Sequence, residues 1–127
     1  MLQNIHHIAI ICKDYSLSKH FYLDILGLKI IREVYRSDRN SFKLDLALQG
    51  KYVIELFSFP NPPKRISFPE ATSLRHLAFG VYSIDNTLEI FKNKGVLVSE
   101  IHLDEFTGKK YTFIQDPDNL PIELYEL

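Results

Sequence analysis

The chain states nearly the same pattern twice, and this constrains its fold more than any other feature. "HHIAIICKDYSLSKHFYLDILGLKI" starts at position 6 and "RHLAFGVYSIDNTLEIFKNKGVLV" at position 75. Each opens on His, an apolar residue and Ala, then passes into a helical pattern. The halves close on "YVIELFSF" and "LPIELYEL", which share Ile-Glu-Leu followed by an aromatic residue. His7 and Glu55 lie 48 positions apart, and His76 and Glu123 lie 47 apart. A duplicated frame with a duplicated His and Glu predicts two copies of one supersecondary unit.

The local signals give each copy the order βαβββ. The β-branched run "IHHIAII" (5–11) reads as a first strand, its two adjacent histidines pointing to opposite faces. Leu17, Phe21 and Ile25 recur every fourth residue and predict one apolar helix stripe. Asp14 or Ser16 caps that helix and Gly27 ends it. In the second copy the stripe is Ile84, Leu88 and Phe91, the cap Ser83 or Asp85, and the terminator Gly95. Strands are expected at about 28–36, 41–48, 51–58, 96–103, 109–115 and 120–126, with "DPDN" (116–119) a turn. Four of the six prolines fall in "PNPPKRISFPEATS" (60–73), a connector and not a helix. The expectation is an α+β fold of one domain, residues 1–127, with module one about 1–59, the connector about 60–73 and module two about 74–127.

Composition removes several function classes. The 127 residues are 46% apolar with a net charge of −1, so neither a nucleic-acid groove nor an anionic membrane surface is indicated. No apolar run is long enough to span a bilayer, and no basic n-region with a cleavage site precedes the first strand. A single cysteine, Cys12, excludes an intrachain disulfide framework, so a reducing cytoplasm is the expected location.

Strand alternation then places the charged residues. Ile8, Ile10 and Cys12 share one face, and His7, Ala9 and Ile11 the other. Ile54 and Leu56 oppose Val53, Glu55 and Phe57. Leu77, Phe79 and Val81 oppose His76, Ala78 and Gly80, while Ile122 and Leu124 oppose Pro121, Glu123 and Tyr125. With the apolar sets under the helices, His7, Glu55, His76 and Glu123 all stand on the concave faces. A glutamate inside an apolar strand is costly unless paired or bound to a cation. Taken singly, each of the four is more often a solvated edge residue or half of an ion pair. Taken as a duplicate, two imidazoles and two carboxylates make a neutralising N2O2 set for one divalent ion: zinc or nickel first, then manganese, iron or cobalt. His6, His20 and His102 have no counterpart in the other half and read as structural or solvated.

These landmarks resemble the vicinal oxygen chelate superfamily: His7 with Asp14 seven residues on, "FYLDILGL" (21–28), "VIELF" (53–57), "RHLAFGV" (75–81) and "DPDNLPIEL" (116–124). The resemblance covers essentially the whole chain. It implies a glyoxalase/dihydroxybiphenyl dioxygenase-like curved mixed sheet with a central cleft, a metal in that cleft and often a homodimer. The His-Glu-His-Glu order is similar to that of glyoxalase I, whereas related epimerases typically have Gln at the second position and extradiol dioxygenases use three ligands. Two departures stand out. Ile11 occupies the place of an Arg four residues after the first ligand, and Phe59 that of an Asn four after the second. Both would hold a glutathione peptide, so the metal chemistry carries over better than the thiol substrate.

The expected activity is that of a metal-dependent glyoxalase-like lyase or isomerase on a small oxygen-rich carbonyl or hemithioacetal substrate. Its reaction would pass through a metal-stabilised enediolate, with Glu123 or Glu55 moving the proton. The alternatives are a non-catalytic small-molecule-binding protein of the same fold and a thiol transferase of the fosfomycin-resistance type. Lys43 and Asp45, expected on the cleft side of "SFKLDLAL" with Phe42, Leu44, Leu46 and Leu48 under the helix, would select a polar or anionic substrate. They could equally form an ion pair with each other. Phe57, Phe59 and Tyr125 would line an apolar part of the pocket or fill core. Arg36, Arg39, Arg65, Arg75 and Lys109 are anion hooks or solvated surface.

Overall fold

Each half folds around a sheet whose buried face is set by apolar alternation. A computed structural model describes residues 1–127, which divide into two compact units, Met1–Lys64 and Arg65–Leu127. The first unit holds β1 (Ile8–Cys12), α1 (Tyr15–His20), a π-helical turn over Phe21–Ile25, β2 (Lys29–Arg36), β3 (Ser41–Leu48) and β4 (Lys51–Ser58). The second holds β5 (Leu77–Val81), α2 (Ile84–Asn93), β6 (His102–Leu103), β7 (Lys110–Gln115) and β8 (Pro121–Glu126). The sheets are four-stranded and mixed, in the same order: β1-β4-β3-β2 and β5-β8-β7-β6. This is the expected α+β, two-module architecture. No helix is long and apolar enough to cross a membrane.

The two parallel pairings matter most for function. β1 runs beside β4 with Ala9 opposite Glu55, and β5 beside β8 with Ala78 opposite Glu123. In both units the small alanine leaves space beside the carboxylate, and the histidine two residues earlier shares its face. The other face is core. Ile10, Cys12, Leu44, Leu46, Ile54 and Leu56 are buried in the first unit, and Leu77, Ile114, Ile122 and Leu124 in the second. Each fully buried Leu or Ile contributes about 2 kcal/mol of transfer free energy.

The helices follow their caps. The Asp14 carboxylate accepts from Leu17 N at the start of α1, and Ser83 Oγ accepts from Asn86 N at the start of α2. Gly27 and Gly95 follow with φ of +78° in both cases, the left-handed backbone that ends a helix. Ile84, Leu88 and Phe91 are buried as expected. The first stripe differs: Leu17 is 57% exposed, and Ser18, Phe21 and Tyr22 form the buried face. The π-helical turn widens the helix at Phe21, so a strict four-residue repeat does not track one face. The span 96–103 pairs as a strand only at His102–Leu103, although Ser99 N also donates to Phe113 O.

Two one-residue irregularities rearrange the first sheet. β3 pairs Leu46 with Ile54 and then Ala47 with Tyr52, so Val53 is skipped. On its other side Ile30 pairs with Leu46 and Arg32 with Asp45, so Ile31 is skipped. An extra residue in one strand exchanges the faces of everything beyond it. Tyr52, Arg32, Val34 and Arg36, which simple alternation sends to the core side, are thereby delivered to the open face. Leu48, at the end of β3, is 38% exposed, and Ala47, paired with Tyr52, is buried.

Candidate functional site

The duplicated residues meet as two matching pairs, one in each unit. His7 Nε2 lies 3.8 Å from Glu55 Oε2, and His76 Nε2 lies 2.8 Å from Glu123 Oε2. The same ring nitrogen faces the same carboxylate oxygen in both units, on the face opposite the core. All four side chains are partly shielded. The glutamates are the more enclosed, at 16% and 14% exposed for Glu55 and Glu123.

His6 and His7 do not point to opposite faces. Their Nδ1 atoms are 2.8 Å apart and their rings meet edge to face. The ladder begins only at Ile8, so strand alternation does not govern the residues before it. Both rings also pack on Tyr52, with centroids 5.1 and 5.0 Å away.

Around Glu55 the open face is polar. Asp45, directly opposite Glu55 in the register, is fully buried. Arg32 donates to its Oδ2 through Nε at 3.0 Å and Nη2 at 2.9 Å. Lys43 and Tyr52 donate to Oδ1 at 2.6 and 2.7 Å. Burial alone raises the Asp45 pKa, but the hydrogen bonds from Lys43, Tyr52 and Arg32 together outweigh it and hold the carboxyl below its ordinary value. The same arrangement pushes the Tyr52 phenol up, through burial first and then its bond to Asp45. Tyr52 Oη and Lys43 Nζ also reach Glu55 Oε2, at 3.2 and 3.4 Å. The Lys43–Asp45 ion pair is therefore present, and its lysine extends it to Glu55. Phe57 and Phe59 stack on each other at 5.8 Å.

Around Glu123 the matching position opposite is Phe113, not an acid. The Phe113 ring meets His76 edge-on at 5.3 Å. Glu123 has His76 as its ion-pair partner, with no counterpart of Tyr52 or Lys43. A cavity of about 540 Å³ opens here, lined by His76, Glu123, Arg75, Asp104, Tyr111 and Phe113 among others. A second hollow of about 330 Å³ shares Arg75, His76 and Phe113 and adds Phe68, Glu70 and His102. Arg75 is held by Glu70 through two bonds of 2.7 and 3.0 Å and lies 3.4 Å from His76 Nδ1. Of the remaining histidines, His20 pairs with Asp24 on the helix surface at 2.8 Å.

Tyr52 and Arg32 are the residues that sequence reasoning missed. Their approach to Asp45 depends on the skipped Val53 and Ile31, and a skipped residue leaves no mark on a hydrophobic pattern. Within either unit, no group of three or more His, Cys, Asp and Glu side chains gathers that could hold a metal. Each unit offers two donors. Two atoms bound to one tetrahedral zinc at about 2.1 Å each lie roughly 3.4 Å apart. The observed N···O separations bracket that value, so each His–Glu pair fits as half of a ligand set.

Comparison with known proteins agrees with this architecture. The chain is 56% identical over 126 residues to the uncharacterized protein YwkD of Bacillus subtilis, covering 99% of this chain and 98% of that one. It is 56% identical over 125 residues to the uncharacterized protein YaeR of Escherichia coli, covering 98% and 97%. The crystal structure of a glyoxalase family protein from Enterococcus faecalis superposes with a TM-score of 0.90 at 43% identity, covering 98% of each chain. A more distant fold neighbour is the fosfomycin resistance protein FosX of Listeria monocytogenes, solved as a mutant complexed with Mn(II). It is 21% identical with a TM-score of 0.76, covering 98% of this chain and 93% of that one. The model of the Glyoxalase/Bleomycin resistance protein/Dioxygenase superfamily matches residues 4–124, and the chain belongs to that family.

Proposed function

We propose that the chain is a metal-dependent lyase or isomerase of the glyoxalase type, acting on a small oxygen-rich carbonyl or hemithioacetal substrate. In this reading His7, Glu55, His76 and Glu123 together hold one divalent ion, zinc or nickel first, in a homodimeric protein. The observation that carries it is the repeated pair, with Nε2 facing Oε2 at 3.8 Å in one unit and 2.8 Å in the other. One such pair is an ordinary ion pair. Two at matching positions of a repeat, each beside a small alanine, point to one shared requirement. The metal-bound FosX shows that this fold accommodates a divalent ion in that protein.

When bound, a divalent ion supplies Lewis-acid polarisation of a substrate carbonyl or enolate oxygen. The chain's own residues supply the proton transfer, and the two glutamates are not equivalent for it. Glu55 is held by Tyr52 and Lys43 as well as His7. Glu123 has His76 alone and faces the cavity. A carboxylate that must swing to a substrate carbon and back needs few other bonds, so Glu123 is assigned as the base and Glu55 as the anchored ligand. Phe113 and Tyr111 would exclude water around the reacting carbon.

The test is metal content by mass spectrometry on untagged protein, with Glu55→Gln and Glu123→Gln, followed by turnover of hemithioacetals. The reading expects about one ion per chain in the wild type and loss of it in both variants. Wild-type protein without metal after reconstitution with zinc, nickel, manganese and iron would leave a binding module with ion-paired strands.

A further inference from the structure

One cation on the open face of the first sheet lacks a partner of opposite charge. That face carries Arg32, Arg36 and Lys43 against Asp45 and Glu55. Arg32 pairs with Asp45, and Lys43 with both acids. Arg36 enters none of these ion pairs; its Nη2 donates to Ser41 Oγ at 2.9 Å. Its Nε is buried and has no hydrogen-bond partner. A buried N–H is rarely left unmade, so this guanidinium is incompletely satisfied by the chain itself.

The position of Arg36 is built rather than incidental. It pairs with Ser41 in the ladder, and the skipped Ile31 turns it from the core side to the open side. There its guanidinium carbon lies 4.7 Å from the Phe57 ring centroid and 5.7 Å from that of Phe59. The stacked rings hold the guanidinium plane; with Nη2 on Ser41 and Nε enclosed, Nη1 is the nitrogen left to meet a ligand. Phe57 is two residues beyond Glu55 on β4, a step of roughly 7 Å along the same face. A molecule a few bonds long spans from the His7–Glu55 pair to Arg36.

We propose that Arg36, seated on Phe57 and Phe59, is an oxyanion subsite that binds a carboxylate or phosphate group carried by the substrate. This deepens the reading above and rests on it only for what the other end of the molecule does. The substrate class is then an anionic carbonyl compound, not a large neutral peptide adduct. Three cations against two acids leave the face with an excess positive charge before any metal is added, which favours an anion. Apolar Ile11 and Phe59 then border the short path to Arg36 and present no peptide-binding groups.

The experiment is an NMR titration of the metal-free protein with inorganic phosphate and, separately, with acetate. Ionic strength is held constant with sodium chloride, and the readout is the Arg36 Nε–H resonance. A saturable shift is expected for at least one anion, with a dissociation constant on the order of 1 to 10 mM, the strength of a few charge-assisted hydrogen bonds at a partly open site. Preference for phosphate indicates a tetrahedral dianion, and preference for acetate a carboxylate. Arg36→Met should weaken binding at least tenfold, read from the Phe57 and Phe59 ring signals. Arg32→Met should leave it within twofold, because that guanidinium is committed to Asp45. Arg36→Lys keeps the charge but not the fork, so it should fold and bind a few-fold more weakly; it decides the matter if the methionine variant is unstable. No saturable shift in the wild type, or equal affinity in the folded Arg36 variants, overturns the proposal. Because no metal is present, the two readings fail separately. Anion binding by a chain that takes up no metal overturns only the metal site, and metal uptake without anion binding overturns only Arg36.

Discussion

At the scale of single residues, the informative group is Asp45. It is fully buried and satisfied by three donors, two of which reach onward to Glu55. Removing one member of a buried charge cluster leaves the others unpaired. Asp45→Ala is expected to cost about 3 kcal/mol, measured by urea denaturation. The sign of the pH effect follows from the direction of the shift. The Asp45 pKa is lowered in the folded state, so its stabilisation is complete above its unfolded value of about 4. It is lost as pH falls through the lower folded value. Glu33, lowered by its bonds from Lys19 and Tyr15, contributes with the same sign. Denaturation midpoints should be flat from neutrality to about pH 5 and fall below it, and Asp45→Asn should flatten that acid limb. Tyr52→Phe keeps the ring against His7 and removes only the hydroxyl. Its expected effect is about a tenfold loss of divalent-ion affinity by calorimetry, with a stability change near 1 kcal/mol. Unchanged affinity would make Tyr52 a packing residue alone.

At the scale of elements, what the pattern reveals and what it hides divide along a physical line. The strands 41–48 and 51–58, the second helix with its Ser83 cap and its Ile84, Leu88 and Phe91 stripe, and the glycine stops were legible, because each depends on local residue chemistry. The His7–Glu55 and His76–Glu123 pairs were legible because a repeat announces itself by spacing. The skipped residues at Ile31 and Val53 were not, since either strand alone still reads as unbroken β-branched sequence. Nor was the π-helical turn that exposes Leu17. The network around Asp45 was hidden for that reason: its partners Arg32 and Tyr52 arrive from strands whose apparent alternation is wrong for them. Deleting Ile31 removes the extra residue and sets Arg32 beside Ile30, still opposite Asp45 on the open face. The deletion should therefore keep cooperative urea unfolding, and Ile31→Val should remain within about 1 kcal/mol of wild type. Loss of cooperative unfolding on deletion would mean that the irregularity itself, and not only the face it gives Arg32, is required. Ser83→Ala should cost about 1 kcal/mol, seen as a Tm drop of about 4 °C.

At the scale of the whole molecule, the repeat makes a prediction that neither half makes alone. Each unit has its own buried apolar face and its own His–Glu pair, so each holds only two of the four proposed ligands. If one ion takes all four, its binding free energy belongs to both units, and removing a ligand from either must remove it. A ligand present at 100 times its dissociation constant stabilises the folded state by about 2.7 kcal/mol. Adding zinc or nickel to chelator-treated wild type should therefore raise Tm by roughly 10 °C. The rise should vanish in Glu55→Gln and in Glu123→Gln alike, although these residues lie in different units and have different neighbours. Each glutamine is nearly isosteric, so the metal-free Tm should move little, and less in Glu123→Gln, whose parent makes fewer bonds. A metal-dependent rise lost in only one variant would assign the ion to one unit, and the repeated pair in the other would then be an ion pair inherited from duplication.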